Sequence, residues 1–152
     1  MDSGRSCRLR LSKITNSPRL KAVFLEQDKL LAILPENHQM ADCEKFPVTS
    51  LCDYPFMLLE KGAKAEISGI FERNGLILKA HFTTWDDYAI MSMVESGLRI
   101  SILPQLILKR VPYKIIAKEL DVPTYRNIGL AFRDKNTISL AVRKFMDYLE
   151  YR

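Results

Sequence analysis

Thr83 and Thr84, directly before the single tryptophan Trp85, are the residues of this 152-residue chain best placed to meet a ligand. Residues 77–82 (ILKAHF) are β-rich, and the two threonines can cap the helix that follows. Asp86 and Asp87 fall in its first turn, where acidic side chains oppose the positive end of the helix dipole. A second strand-to-helix turn is predicted at Leu59-Glu60-Lys61-Gly62. Free backbone N–H groups and positive potential at a helix start favour carboxylates and other small anions. Lys61 adds a cation on a flexible stem, and the hydroxyls add orienting hydrogen bonds. Lys61, Gly62, Phe82, Thr83, Thr84, Trp85 and Pro104 are therefore the candidate binding residues. Each has a plainer reading: threonines as caps, Lys61 as a solvated loop residue, Trp85 as a shield over the helix start.

Catalysis and metal binding find less support. Cys52, His81 and Asp86 have the types of a nucleophile, a base and an orienting acid, but no spacing brings them together. No GxSxG elbow, HExxH, P-loop or paired-carboxylate pattern occurs, so the chain is not expected to be an enzyme. His38, Cys43 and Cys52 match no metal-site spacing, and no metal or other cofactor is expected. His81, with alternating neighbours, reads as an outward or hydrogen-bonded structural histidine. The methionines at 91, 93 and 146 read as core or surface filler.

These residues need a frame of parallel strands. The predicted helix after Thr84 carries Ile90, Met91 and Val94 at helical spacing and stops at Gly97; the apolar run 100–103 closes at Pro104. A β-α-β unit of this length implies a right-handed crossover between parallel strands. An apolar strand at 55–59 and a helix at 63–73, with Ile67, Ile70 and Phe71 on one face and Asn74-Gly75 as stop, precede it. If those strands are parallel, both helix starts and Pro104 lie at one carboxyl edge, where open α/β sheets bind ligands.

Towards the N-terminus, 20–25 and 29–34 read as two strands joined by a turn at Glu26-Gln27-Asp28; 39–53 reads as loop with short helical turns. After Pro104 come a short helix at 105–111, strands at 113–120 and 126–132, and a terminal helix at 137–151. Asn136 or Thr137 can cap that helix, and Ile138, Ala141, Val142, Phe145 and Leu149 are expected to face inward.

The totals set bounds. The length suits one domain with a real core, and 47% hydrophobic with 27% charged residues is ordinary for a globular protein. The net charge of +5 is local. Six of the basic residues precede Ala22 (Arg5, Arg8, Arg10, Lys13, Arg19, Lys21) against one acid, Asp2, and the rest of the chain is balanced. The basic pI therefore gives no argument for a nucleic-acid face. Three cysteines without CxxC spacing fit reduced thiols in a cytoplasmic protein. No apolar run approaches the ~20 residues needed to span a bilayer, so no membrane partner is expected. The N-terminus lacks the apolar stretch of a secretory signal.

An ordered set of motifs now resembles a known family. LLAILPENH, PFMLLEKG, MVESGLRISILP, YRNIGLAFRD and AVRKFMDYL are similar, in order and spacing, to landmarks of the effector-binding domain of LysR-type transcriptional regulators. The similarity runs from about Phe24 to the C-terminus. Two positions depart: Gln39 stands where the family has proline in its LPxxHP motif, and Arg99 where it has a second glycine. Arg99 is expected to face solvent. His38 matches a position that closes a turn, so it reads as structural.

What the resemblance implies is an α/β fold like that of type II periplasmic binding proteins. Residues 34–124 would form a complete second subdomain with its βαβ units. Residues 20–33 and 125–152 would be the remnant of the first, and 1–19 a basic, poorly ordered arm. The winged helix-turn-helix and part of the first subdomain have no counterpart in the sequence. The implied function is to sense a small, anionic co-inducer at the subdomain cleft and to form a homodimer or larger oligomer. DNA would be read only through the missing helix-turn-helix domain. A stand-alone solute-binding protein or small enzyme of similar architecture is the alternative.

Overall fold

The computed structural model describes residues 10–13, 21–60, 64–132 and 139–150. In chain order its elements are β1 (Arg10–Lys13), β2 (Lys21–Pro35), a 3-10 turn (Val48–Cys52), β3 (Phe56–Leu59), α1 (Lys64–Arg73), β4 (Ala80–Thr84), α2 (Asp87–Glu95), β5 (Ile100–Pro104), α3 (Gln105–Leu108), β6 (Ile115–Glu119), β7 (Tyr125–Phe132) and α4 (Leu140–Glu150). The chain divides into two compact units, Asp28–Arg126 and a smaller one of Met1–Gln27 with Asn127–Arg152.

In the larger unit the strands lie in the order β6-β2-β5-β3-β4. β3 is parallel to both β4 and β5, while β2 is antiparallel to β5 and β6. Period-two alternation sorts the core into two layers. Leu30, Ala32 and Leu34 of β2, Phe56 and Leu58 of β3, and Ile100 and Ile102 of β5 pack with Ile67, Ile70 and Phe71 of α1. Ile33, Met57, Leu59 and Leu103 pack on the other face with Ile90, Met91 and Val94 of α2. A strand covered on both faces must be apolar throughout, and β3 is buried at all four positions.

The two-faced arrangement follows from handedness. The path steps from β3 to β4 on one side, then returns past β3 to β5 on the other. Two crossovers of the same right-handed sense running in opposite directions put their helices on opposite faces. Both helices then end where glycine allows a left-handed residue. Gly75 and Gly97 have φ of 66° and 76°. Around each, the paired bonds of a Schellman stop form: Gly75 N–H to Glu72 O and Leu76 N–H to Phe71 O, then Gly97 N–H to Val94 O and Leu98 N–H to Met93 O. No described non-glycine residue has a positive φ, so Arg99 takes ordinary backbone where the family has glycine. It is half-buried rather than solvent-facing.

In the smaller unit β1 pairs antiparallel with β7, from Arg10↔Ala131 to Lys13↔Ile128. Part of the arm read as poorly ordered is thus a paired strand; the turn at Asn16-Ser17-Pro18 lies outside the described residues. Helix α4 is present, but Phe145 and Ala141, expected to face inward, are exposed, as are Leu140 and Tyr148. The caps proposed at Asn136 and Thr137, and Ile138, lie outside the described residues.

Three other expectations change. No turn breaks residues 26–28: β2 is one strand of 15 residues, because Asp28 is held inside by partners remote in sequence. The third central strand begins at Ala80 rather than Ile77, which is 74% exposed. The short helix α3 stops at Leu108.

Candidate functional site

The carboxyl ends of β3, β4 and β5 lie side by side at one edge, with Leu59 registered against Thr84. β2 enters the sheet at this same edge, its Leu30 opposite Pro104. The middle strand of the three is followed by a helix on one face, and its two neighbours by helices on the other. Chains that leave adjacent strand ends toward opposite faces part over the sheet and leave a crevice between them. The end of β3, at Leu59-Glu60, is that place. Backbone bonding ties it down: Glu60 N–H donates to Thr84 O at 2.9 Å.

The candidate residues group around this edge. Phe82, Thr83 and Thr84 are the last three residues of β4, paired with Met57, Leu58 and Leu59. Phe82 is 44% exposed, Thr83 exposed and Thr84 half-buried. Trp85 follows at 69% exposure, so it stands in solvent rather than shielding the helix. Pro104 closes β5 and is buried. Lys61 and Gly62 lie outside the described residues.

The threonines do not cap α2. Both still belong to β4, and successive strand residues face opposite sides, so their hydroxyls do not act as a pair. The cap is Asp86, whose Oδ1 accepts the Tyr88 N–H at 2.9 Å. Thr84 instead shapes the turn, its Oγ1 accepting Asp86 N–H at 3.2 Å. With Asp86 as cap and Asp87 in the first turn, the start of α2 already carries carboxylates.

Other charged groups at this edge meet partners. Glu60 is bridged by Lys64 Nζ at 3.1 Å, one helical turn on. Lys29 bonds to Glu119 across β2 and β6, and its ammonium holds the Glu119 carboxyl below the ordinary carboxylate range. Asp28, nearly fully buried, joins Arg126 and the backbone of Leu106. Glu60, Asp28 and Arg126 were not among the expected site residues. A mid-strand acid in the run KAVFLEQDKLLAILP was the available signal for Asp28.

The remaining chemistry-bearing groups have structural roles. His38 Nδ1 accepts the Met40 N–H at 3.1 Å, and its ring lies edge-on to Tyr54 with centroids 4.5 Å apart. Burial pushes this imidazole's pKa down. His81 is exposed in β4. The Cys52 thiol donates to Ile77 O, while Asp86 is engaged as a cap. Among the described residues no group of three His, Cys, Asp or Glu is placed to hold a metal ion.

The family model for the LysR substrate binding domain matches residues 8–152. A curated relative, the uncharacterized HTH-type transcriptional regulator YvbU of Bacillus subtilis (strain 168), is 25% identical over 130 residues, 84% of this chain and 44% of its own. The chain therefore spans under half the length of that relative. Among solved structures, the effector binding domain of QuiR in complex with shikimate superposes with a TM-score of 0.79 at 23% identity, over 93% of this chain and 69% of that one. The Synechocystis CcmR regulatory domain in complex with 2-PG gives 0.80 at 22%, over 93% and 71%. These likenesses establish the fold, which is the periplasmic-binding-protein-like fold of such domains.

Proposed function

Because this chain belongs to the LysR substrate-binding domain family, a family of transcriptional regulators rather than enzymes, we propose that the carboxyl edge of its larger unit holds a small, anionic effector. The observation that carries this reading is the convergence of the β3, β4 and β5 ends, with Leu59, Thr84 and Pro104 together where the chain parts to opposite faces. Lys61 and Gly62 follow Glu60 directly in the sequence, and Phe82, Thr83, Thr84 and Trp85 line the outer side of this edge. Binding of shikimate by QuiR and of 2-PG by CcmR supports a small polar ligand of this kind. Anion preference rests on Lys61 and on backbone N–H groups, since the described cations of the edge are already paired.

The larger unit then corresponds to the second subdomain of the family and the smaller to part of the first. Effector binding biases the oligomer by its different affinity for two states. The outer edge of β4, which pairs with no further strand among the described residues, and exposed apolar residues such as Ile77 and Leu98 favour self-association into a dimer or larger species. Contact with DNA is assigned to a helix-turn-helix domain, which is not among the described elements. No helix among the described residues is long and apolar enough to cross a membrane.

Trp85 provides the test. Titration of shikimate and related small carboxylates, followed by tryptophan emission, should give a saturable change with at least one of them. Saturable binding that survives Lys61→Ala and the Thr83 and Thr84 substitutions together would place the effector elsewhere.

A further inference from the structure

Asp28 is the first residue of the larger unit and Arg126 its last, and their side chains meet inside the protein. Asp28 is 2% exposed. Its Oδ2 accepts from Arg126 Nε at 2.9 Å and Nη2 at 2.8 Å, while its Oδ1 accepts the backbone N–H of Leu106 at 3.0 Å. Two residues further into the unit on each side, the Thr124 hydroxyl donates to Leu30 O at 2.9 Å and Leu30 N–H donates to Thr124 O at 3.0 Å. β2 and the start of β7, along which the chain enters and leaves the unit, are thus fastened to each other. One carboxylate fastens both to the turn that follows Pro104.

Stability alone does not call for this arrangement. Well-packed apolar side chains serve as well as a buried ion pair, and often better. A carboxylate does what they cannot: it accepts from several donors in fixed directions at once. The geometry points to Asp28 as a positioning residue, which sets the β5–α3 turn, and with it Pro104, by the placement of β2 and β7 where they leave the unit. The inference rests on reading this edge as the effector site. Coupling through it is reciprocal: an effector that shifts the turn at Leu106 shifts Asp28 and biases the two strands, and movement of the strands alters affinity at the edge.

The test compares the full chain with Asp28→Ala combined with Arg126→Gln, which leaves no lone buried charge and no acceptor for Leu106, and with Asp28→Asn alone. Amide hydrogen exchange reads the clasp directly. In the double variant exchange at Leu106 should rise about tenfold or more while Met57 and Ile102 keep wild-type protection. Affinity for shikimate, read through Trp85, should fall about tenfold. Asp28→Asn alone, which keeps an oxygen for Leu106, should lie between the two. Unchanged exchange at Leu106, or exchange raised evenly over the whole core, overturns the positioning role. So does wild-type affinity for shikimate despite faster exchange at Leu106. If the wild-type chain binds no shikimate, that result counts against shikimate as the effector, and exchange confined to residues 105–108 still decides the role of Asp28.

Discussion

The buried hydroxyl of Ser101 donates to the Met57 carbonyl oxygen at 2.8 Å, although these residues are 44 positions apart. They are also ladder partners, and the parallel pairing of β3 with β5 comprises only Phe56↔Ile100 and Met57↔Ser101. The side-chain bond therefore reinforces a short ladder beside the crevice. Ser101→Ala should lower unfolding free energy by about 1 kcal/mol, a typical net hydrogen-bond contribution. Urea unfolding with an unchanged slope measures it.

Asp86 and Gly97 bracket α2, and each end has its own cost. Asp86→Ala removes the cap on Tyr88 N–H and should cost about 1 kcal/mol. Gly97→Ala meets no neighbour within 4 Å, so its cost is backbone alone. At φ of 76° that is about 1 kcal/mol. The two substitutions lie at opposite ends of one helix, and their effects on the thermal midpoint should add.

His38 gives the chain a pH dependence with a definite sign. Its Nδ1 accepts a backbone N–H, so the folded state holds the neutral ring, and burial lowers the pKa from its ordinary 6.5. The unfolded chain takes the proton more readily. The contribution of His38 to stability is thus complete above pH 6.5 and is lost as pH falls through the lowered folded value. Urea midpoints measured from pH 7.5 downward should decline, and His38→Gln should remove part of that decline. An equal slope in the variant would assign the acid sensitivity to other groups.

Thr83 and Thr84 should separate on substitution. Thr84→Val removes the acceptor of Asp86 N–H and should loosen the turn into α2, with a stability loss of about 1 kcal/mol. Thr83 is exposed with no such bond, so Thr83→Val should leave the thermal midpoint unchanged. A loss of effector affinity in Thr83→Val at constant stability would assign its hydroxyl to the ligand.

The chain settled its local grammar by itself. Runs at 56–59 and 100–104 are buried strands because nothing charged interrupts them and the one hydroxyl, that of Ser101, is bonded inside. Both helices stop where Asn74-Gly75 and Gly97 permit a left-handed residue, and the order of motifs carried the family. These are short-range signals: a run, a spacing, a glycine after a turn. The tertiary structure decided what depends on distant partners. Asp28 looked like a turn residue until Arg126 and Leu106, 98 and 78 positions away, neutralised and bonded it inside a continuous strand. The threonines looked like caps until pairing with β3 drew them into β4 and left the cap to Asp86. Period-two and period-3.6 patterns fix which face of an element is apolar. Only the packed chain decides which neighbour covers that face, and a buried carboxylate is stable only once that neighbour is known.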